Sequence, residues 1–563
     1  MMRPRGRTNP LYLELTRIMN HIFRYAALLA TFLCLAAFAQ QQPVTSQMLL
    51  DGLKDPTKWL MFGGDYTSQR HSPLTQLTPQ NVDRLTPQWL FQTQTPAPGR
   101  GFETTPVVLD GVMYITGNNN HAWALDARTG QSIWHYQRKL PEMLRVCCGM
   151  VNRGPAILGD KLYMGTLDAH LVALNRMTGA VLWDSTVEEP KNGYSVTLAP
   201  LVVKNKVIVG VAGGDYADRG FIDAYDAETG ARAWRFYTVP GEGEPGSETW
   251  PNAEVMKRGG GAVWVTGAYD PALNLVYYGT GNPNPDYYGD DRKGDNLYTS
   301  SLIALDADTG KLKWYFQFTP HDLHDWDATQ VPILADLTIA GQPHRVLMVA
   351  NRNGFFYVLD RENGKLLLGK PFTGSRWAKE LGADGHPVVL PNDGSREQCL
   401  PDPRGGANFM PPSYDPARQL YFVTARETCV TWVSTKPETI TLGGPAPSGG
   451  PRHFEDGPPQ YSALRAIDPA TGALRWEHRF RNYPSTVFLD LSGGAMSTAS
   501  GVVFSGDNDG FLYAFDSATA KQLWRFQTGA SIWGTAPITY MLDGVQWVVV
   551  PSGVTLTAFA LRK

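Results

Sequence analysis

The segment Leu125-Asp126-Ala127-Arg128-Thr129-Gly130, with Trp134 four residues on, sets the pattern of the whole chain. It recurs as Leu174-Asn175-Arg176-Met177-Thr178-Gly179 with Trp183, as Tyr225-Asp226-Ala227-Glu228-Thr229-Gly230 with Trp234, and as Leu305-Asp306-Ala307-Asp308-Thr309-Gly310 with Trp314. Further copies run from Leu359-Asp360 to Gly364 with Leu368, from Ile467-Asp468 to Gly472 with Trp476, and from Phe515-Asp516 to Ala520 with Trp524. In all seven the final residue lies eight after the Asp or Asn, and only Leu368 departs from Trp.

The grammar of each copy is that of strands and turns. An apolar run such as Lys161–Met164 or Val502–Ser505 precedes a turn rich in Gly, Asn and Asp. A second run follows, such as Leu171–Leu174 or Phe511–Phe515, and the Asp-x-x-Thr-Gly turn leads into a third strand ending in Trp. Asp at a turn start bonds its own backbone, and Gly takes the left-handed position. Each unit therefore reads as an antiparallel meander with Trp as an apolar plug between neighbours. Such units cannot bury both faces alone, and radial stacking into a β-propeller does it for them. The Asp/Asn positions step by 49, 51, 80, 54, 108 and 48, so two blades carry insertions. Gln88-Trp89-Leu90-Phe91 reads as a last strand, and Val554–Leu561 as a second strand without its turn. Joined, they form an eighth blade closed by the N- and C-terminal strands. The expectation is an all-β, eight-bladed propeller filling residues 40–563 as one domain.

Composition agrees. The 563 residues hold 57 Gly, 41 Pro and 16 Trp, with only 18% charged, which suits many turns and short strands rather than a helical bundle or a disordered chain. A net charge of −3, from 50 Lys and Arg against 53 Asp and Glu, gives no electrostatic case for nucleic acid or an anionic membrane surface.

The first 39 residues read as a secretory signal peptide. Arg17 and Arg24 precede an apolar run from Ala26 to Ala37, and Ala37-Phe38-Ala39 closes it as an Ala-x-Ala cleavage site. Met19 would begin a compact signal, which makes it a candidate start. The run is short of the ~20 residues a membrane span needs, so no stable membrane span is expected and the mature chain is read as exported. Besides Cys34, four cysteines remain: Cys147, Cys148, Cys399 and Cys429. An even count in an exported chain permits two disulfides. No Cys-x-x-Cys-His is present, so no covalently attached haem is expected.

Some residues fall outside the repeat. Bonding the adjacent Cys147 and Cys148 closes an eight-membered ring; two unrelated thiols are the bland alternative. Trp264 lies off the repeat's Trp position, after Gly259-Gly260-Gly261, and could be ordinary core. Asn282 sits in a loop after Val276-Tyr277-Tyr278. Asp322, Asp325 and Asp327 place three carboxylates within six residues, the oxygen chemistry of a hard cation unless they form a solvated acidic loop. His321 and His324 lack a third His or Cys nearby, so zinc fits less well.

Four motifs together make a specific resemblance: Cys147-Cys148-Gly149-Met150-Val151-Asn152-Arg153-Gly154, Gly279-Thr280-Gly281-Asn282-Pro283, Thr319-Pro320-His321-Asp322 and Asn351-Arg352-Asn353-Gly354. In them the chain resembles the quinoprotein alcohol dehydrogenases, such as the methanol and ethanol dehydrogenases of bacterial periplasms, over essentially its whole mature length. The resemblance implies an eight-bladed propeller holding pyrroloquinoline quinone (PQQ) on its axis beside one metal ion. It implies oxidation of a primary or other small alcohol to the aldehyde by hydride transfer to metal-bound PQQ. Electrons would pass to a separate soluble cytochrome c in the periplasm; a homodimer stays open.

Residue by residue, the resemblance puts a Cys147–Cys148 disulfide on one face of PQQ and Trp264 on the other. Arg153 would pair with a PQQ carboxylate, and Glu103, Thr166 and Asn408 would be the remaining polar cofactor contacts. Asp325 matches the catalytic base, and Arg352 the cation beside the quinone oxygens. Asp215, Asn282, Asp325 and Asp327 match metal ligands, and Cys399 with Cys429 a second disulfide. In this family an Asp at position 327 marks the lanthanide-using branch, where calcium enzymes carry a small residue. Three carboxylates would balance a trivalent ion, which favours a lanthanide over calcium here.

The departures are local. Asp215 stands where Glu is usual and is one methylene shorter, which could pull the ion away from Asp327. Ala212 stands where a Ser contacts the cofactor. Ser492 stands at a Trp position, and the chain lacks a C-terminal segment that covers the site in the methanol enzymes, which implies room for alcohols bulkier than methanol. The insertions between Gly374 and Pro459 could instead supply a different lid. The chief alternative is a non-catalytic exported propeller scaffold of the outer-membrane assembly type, which would share the repeat and lack the axial residues. A membrane-bound sugar dehydrogenase would need N-terminal spans that the sequence does not have.

Overall fold

The computed structural model describes residues 42–95, 101–142, 144–374, 376–391, 400–454, 458–483 and 492–562. The signal-peptide reading of residues 1–39 lies outside them. Among the described residues no helix is long and apolar enough to cross a membrane.

The unit Thr45–Lys563 is built from eight antiparallel meanders of four strands each. The first contains Val107–Leu109, Val112–Gly117, His121–Asp126 and Ser132–Gln137, paired in that order. Burial grades across it. The first two strands are wholly buried, whereas the fourth alternates exposed and half-buried residues. The first strand therefore faces the axis and the fourth the rim. That innermost strand is the one missing from the three-run grammar of the sequence. At three residues, as in Val107–Leu109, Ala156–Leu158 and Leu201–Val203, it is too short to show a period.

The repeated motif does two jobs. Asp126 Oδ1 accepts from the amides of Arg128 (2.8 Å) and Thr129 (3.1 Å), and Asn175 Oδ1 does the same for Met177 (2.9 Å) and Thr178 (3.1 Å). Each motif Trp then reaches into the next blade. Trp134 Nε1 donates to the Arg176 carbonyl at 2.9 Å, Trp234 to Ala307 at 3.2 Å, and Trp476 to Ser517 at 2.9 Å. In every case the acceptor follows the turn Asp or Asn. The turn glycine lies under the incoming ring. A Cβ on Gly179 would meet Trp134 at 2.8 Å, and its φ of +73° suits Gly as well. Blade-to-blade contact is thus written into the motif itself.

The ends close the ring as expected, with one correction. Leu85–Gln92 pairs antiparallel with Thr555–Leu561, and the blade is completed by Val545–Ser552 and Ile538–Leu542. Thr555–Leu561 is the third strand of that blade rather than the second, because two further strands precede it. His71–Ser72 adds a parallel fifth strand to the preceding blade, against Ser497 and Thr498. The buried Arg70 beside it donates to the Pro537 carbonyl at 2.9 Å, tying this segment to the closing blade.

Both long steps hold the expected insertions. One places the short helix Ala253–Met256 ahead of the strand Ala268–Asp270. The other adds two hairpins, Ala378–Leu381 with Pro387–Val389 and Val430–Ser434 with Gly449–His453. The second hairpin interrupts one blade between Leu420–Glu427 and Gln460–Ile467.

Candidate active site

In a four-stranded meander the start of strand one, the end of strand two and the end of strand four share one end of the blade. The chemistry collects on the loops at that end. Glu103, Arg153, Thr197, Trp264 and Asn408 each lie three to five residues ahead of a first strand. Asp215, Asn282 and Arg352 follow the second strands Lys206–Gly210, Leu275–Gly279 and Gln342–Ala350. Asp325 and Asp327 come from the loop after the fourth strand Leu312–Gln317. Together with Cys147 and Cys148, all of these line one cavity of about 300 Å³.

Cys147 and Cys148 are bonded to each other and form one wall, and Trp264 is part of the lining. Trp264 is fixed through its rim and its face. Its Nε1 donates to Asp327 Oδ2 at 3.1 Å, and the Arg153 guanidinium lies 4.8 Å from its ring centroid. Phe409 packs edge-on to it at 5.4 Å. Arg153 pairs with buried Glu103 at 2.9 Å and donates to Thr197 Oγ1 at 2.9 Å. Three guanidinium groups, Arg153, Arg352 and Arg404, line the cavity, a donor set suited to an anionic planar ligand.

Arg352 organises the opposite side. Its Nη2 donates to Asp327 Oδ2 at 2.8 Å, and its Nη1 donates to the carbonyls of Asp325 (2.7 Å) and Pro403 (2.8 Å). Asp325 has φ +58°, a conformation Asp tolerates better than most residues, and the Arg352 bond holds it there. Its Oδ2 accepts from the Tyr287 hydroxyl at 3.4 Å. Tyr287 packs on Trp432 of the inserted hairpin, with ring centroids 5.2 Å apart, and its backbone N–H donates to Ser448 Oγ at 2.9 Å. The insertion thus buttresses the wall of the site.

Four carboxyl groups crowd this region. Burial holds Asp325 well above the usual carboxylate range; Arg352 opposes the shift, while Asp286, Asp327 and Asp215 add to it. Burial, then Asp215, does the same to Asp286. Asp327 is raised by burial against the pull of Arg352, and Asp215 by burial and then by Asp327. A hard cation among these oxygens would reverse each shift. Asp215 stands at the disulfide edge, within 4.8 Å of both sulfurs. Asn282 donates its Nδ2 to Asp286 and to Pro283, leaving its carbonyl oxygen for the cavity. Carboxylates plus an amide oxygen are the donor chemistry of calcium or a lanthanide.

Of the residues expected from the sequence, Thr166 is displaced. It lies in a hairpin turn, where its Oγ1 accepts from the His170 amide at 3.0 Å, and it does not line the cavity. Thr197 occupies the place expected for it, four residues ahead of Leu201–Val203. The sequence reading also passed over Asp286, Tyr287, Arg404, Phe409 and Trp533. Asp286 and Tyr287 directly follow the Asn282 motif, and Trp533 leads Ile538–Leu542 as Glu103 leads Val107–Leu109, so position alone could have flagged them. Asp322 is a structural group, capping Trp326 N at 2.9 Å. His321 and His324 take separate partners, the Gly294 carbonyl at 2.8 Å and the Trp326 ring at 4.1 Å, so they form no zinc pair. Ala212 lines the cavity, whereas Ser492 is buried outside the lining, bonded to Ser462 at 2.8 Å. Cys429 is disulfide-bonded, and Cys399 lies outside the described residues.

Comparison with known proteins agrees with this geometry. The family model described as "PQQ: Glucose/ethanol/alcohol dehydrogenase, beta-propeller domain" matches residues 59–369 and 447–548. Quinoprotein alcohol dehydrogenase PedH of Pseudomonas putida is 39% identical, covering 94% of this chain and 91% of its own. The quinohemoprotein alcohol dehydrogenase of Comamonas testosteroni is 38% identical, covering 88% of this chain and 73% of its own. Among solved structures, a europium-containing methanol dehydrogenase superposes with a TM-score of 0.83 at 32% identity, over 92% of this chain and 100% of its own. The fold, the axial cavity and these similarities coincide: the chain belongs to the PQQ-dependent alcohol dehydrogenases.

Proposed function

We propose that this chain oxidises small primary alcohols to aldehydes in the periplasm and passes the electrons to a separate soluble cytochrome c, with a lanthanide as its metal. The observation that carries the catalytic reading is Asp325. It is a cavity carboxyl held between Arg352 and Tyr287, an arrangement that suits a general base. PQQ, when bound, supplies the two-electron oxidant. Arg153, Thr197 and Asn408 would hold its polar rim, and the disulfide and Trp264 its faces. Asp215, Asn282, Asp325 and Asp327 would hold the ion. Asp325 accepts the alcohol's hydroxyl proton. Arg352 keeps Asp325 and Asp327 in register and presents positive charge where negative charge develops. The buried surround of Tyr287, Phe409 and Trp533 limits competing water.

The test is direct. Purified protein is reconstituted with PQQ and lanthanum or calcium, then assayed with alcohols of increasing size, using an artificial dye and then a soluble cytochrome c as acceptor. Oxidation dependent on both PQQ and metal is the expected result; none with any alcohol would remove the enzymatic reading. The profile is expected to extend well beyond methanol, with longer primary alcohols retained. A sharp optimum at methanol would show that the Trp432 hairpin closes the site as tightly as any other lid.

The disulfide is expected to act by shape. Replacing Cys147 and Cys148 together by Ser should leave the propeller folded and lower PQQ retention through gel filtration, read from cofactor absorbance. Full occupancy and full activity in that variant would take the disulfide out of the cofactor site.

A further inference from the structure

After the Asn282 motif the chain runs Pro283-Asn284-Pro285-Asp286-Tyr287, and the roles above leave Asp286 without a task. Its Oδ1 accepts a hydrogen bond from Asn282 Nδ2 at 3.0 Å, and the same Nδ2 donates to the Pro283 carbonyl at 3.2 Å. An amide nitrogen carries two hydrogens and the amide oxygen none. With the nitrogen committed on this side, the oxygen is what Asn282 offers the cavity. A flipped amide would turn hydrogens toward a cation and repel it.

Charge points the same way. Asp286 makes no ion pair among the described residues. The nearby Arg292 donates instead to the carbonyls of Pro285 and Asp322 and to Asn296 Oδ1. On the other side, Asp325 and Asp327 share Arg352, at 3.7 and 2.8 Å. With Asp215 and Asp286 ionised around a bound cation, four carboxylates outnumber Arg352, the one guanidinium that pairs with any of them. That local excess of negative charge attracts a trivalent ion more strongly than a divalent one.

We propose that Asp286 is the positioning residue of the metal site: it holds the Asn282 amide with its oxygen toward the ion and adds the charge that weights the site toward a trivalent cation. This rests on the alcohol dehydrogenase reading, which supplies the ion.

The test separates hydrogen bond from charge. Metal-free protein carrying PQQ is titrated calorimetrically with lanthanum and, separately, calcium, for the parent, Asp286→Asn and Asp286→Leu. Asn keeps an oxygen acceptor for Asn282 and loses the charge; Leu loses both. Outer partners of metal ligands typically contribute about 10- to 100-fold in affinity. Asp286→Asn is expected to weaken lanthanum binding about tenfold and calcium binding less, because the lost attraction scales with ion charge. Asp286→Leu is expected to weaken both ions, by up to about 100-fold. Terbium luminescence decay in light and heavy water gives a second readout: the ion should gain about one water in Asp286→Leu as Asn282 turns away. Near-isosteric Asp286→Asn keeps the test valid if the Leu variant fails to fold. Unchanged affinity for both ions in both variants, with an unchanged water count, overturns the proposal. Calcium preferred over lanthanum by the parent overturns its trivalent half. Failure of the alcohol dehydrogenase reading would show separately, as absence of PQQ-dependent alcohol oxidation in the parent.

Discussion

Asp325→Asn should bind PQQ, hold the metal more weakly, melt close to the parent and, at saturating metal, lose turnover by about 10²- to 10⁴-fold. Asn is isosteric and, like Asp, tolerates the left-handed backbone of this position (φ +58°), so the Arg352 bond to its carbonyl survives. What disappears is the carboxylate that takes the proton. Measured kcat, with PQQ and metal content determined on the same sample, decides the matter. Near-parent turnover at full occupancy would move the base elsewhere.

Lanthanum is expected to restore more activity than calcium to metal-free, PQQ-loaded protein, and Asp327→Ala to abolish most of the lanthanum-dependent rate. The loss has two sources. One anionic ligand goes, and Arg352 and Trp264 each lose a hydrogen-bond acceptor. Activity with calcium alone, unchanged by Asp327→Ala, would overturn the lanthanide reading. A proton count adds a check. Carboxyl groups held above their ordinary range carry protons in the metal-free protein at pH values where free carboxylates are ionised. A cation expels them, so metal binding should acidify a weakly buffered solution, and affinity should rise with pH.

The fold was legible because seven of the eight blades advertise themselves, five of them three times over, in the Asp or Asn turn, the Gly and the Trp. Trp134 reaching Arg176 and Gly179 shows why those letters travel together: they are two halves of one contact. Most innermost strands were illegible because three residues, as in Val107–Leu109 or Leu201–Val203, carry no period. The site was legible where local chemistry is unusual, as in the paired cysteines or the carboxylates around Asp325. Thr166 was misplaced because a Thr in a hairpin turn and a Thr on the axis look alike one at a time; only their offset from the next first strand separates them. Asp286 stayed hidden behind Asn282, since its work is done through another side chain.

The axial residues come from Glu103 at one extreme and Trp533 at the other, with seven blades contributing between and including them. No incomplete stretch of the chain carries a working half of the site. The cofactor wall at Arg153 waits for Trp533, and Asp215 waits for Arg352. Loading is therefore a late event in the life of the chain, gated by closure of the ring, and an incompletely folded chain should neither capture quinone nor compete for scarce metal.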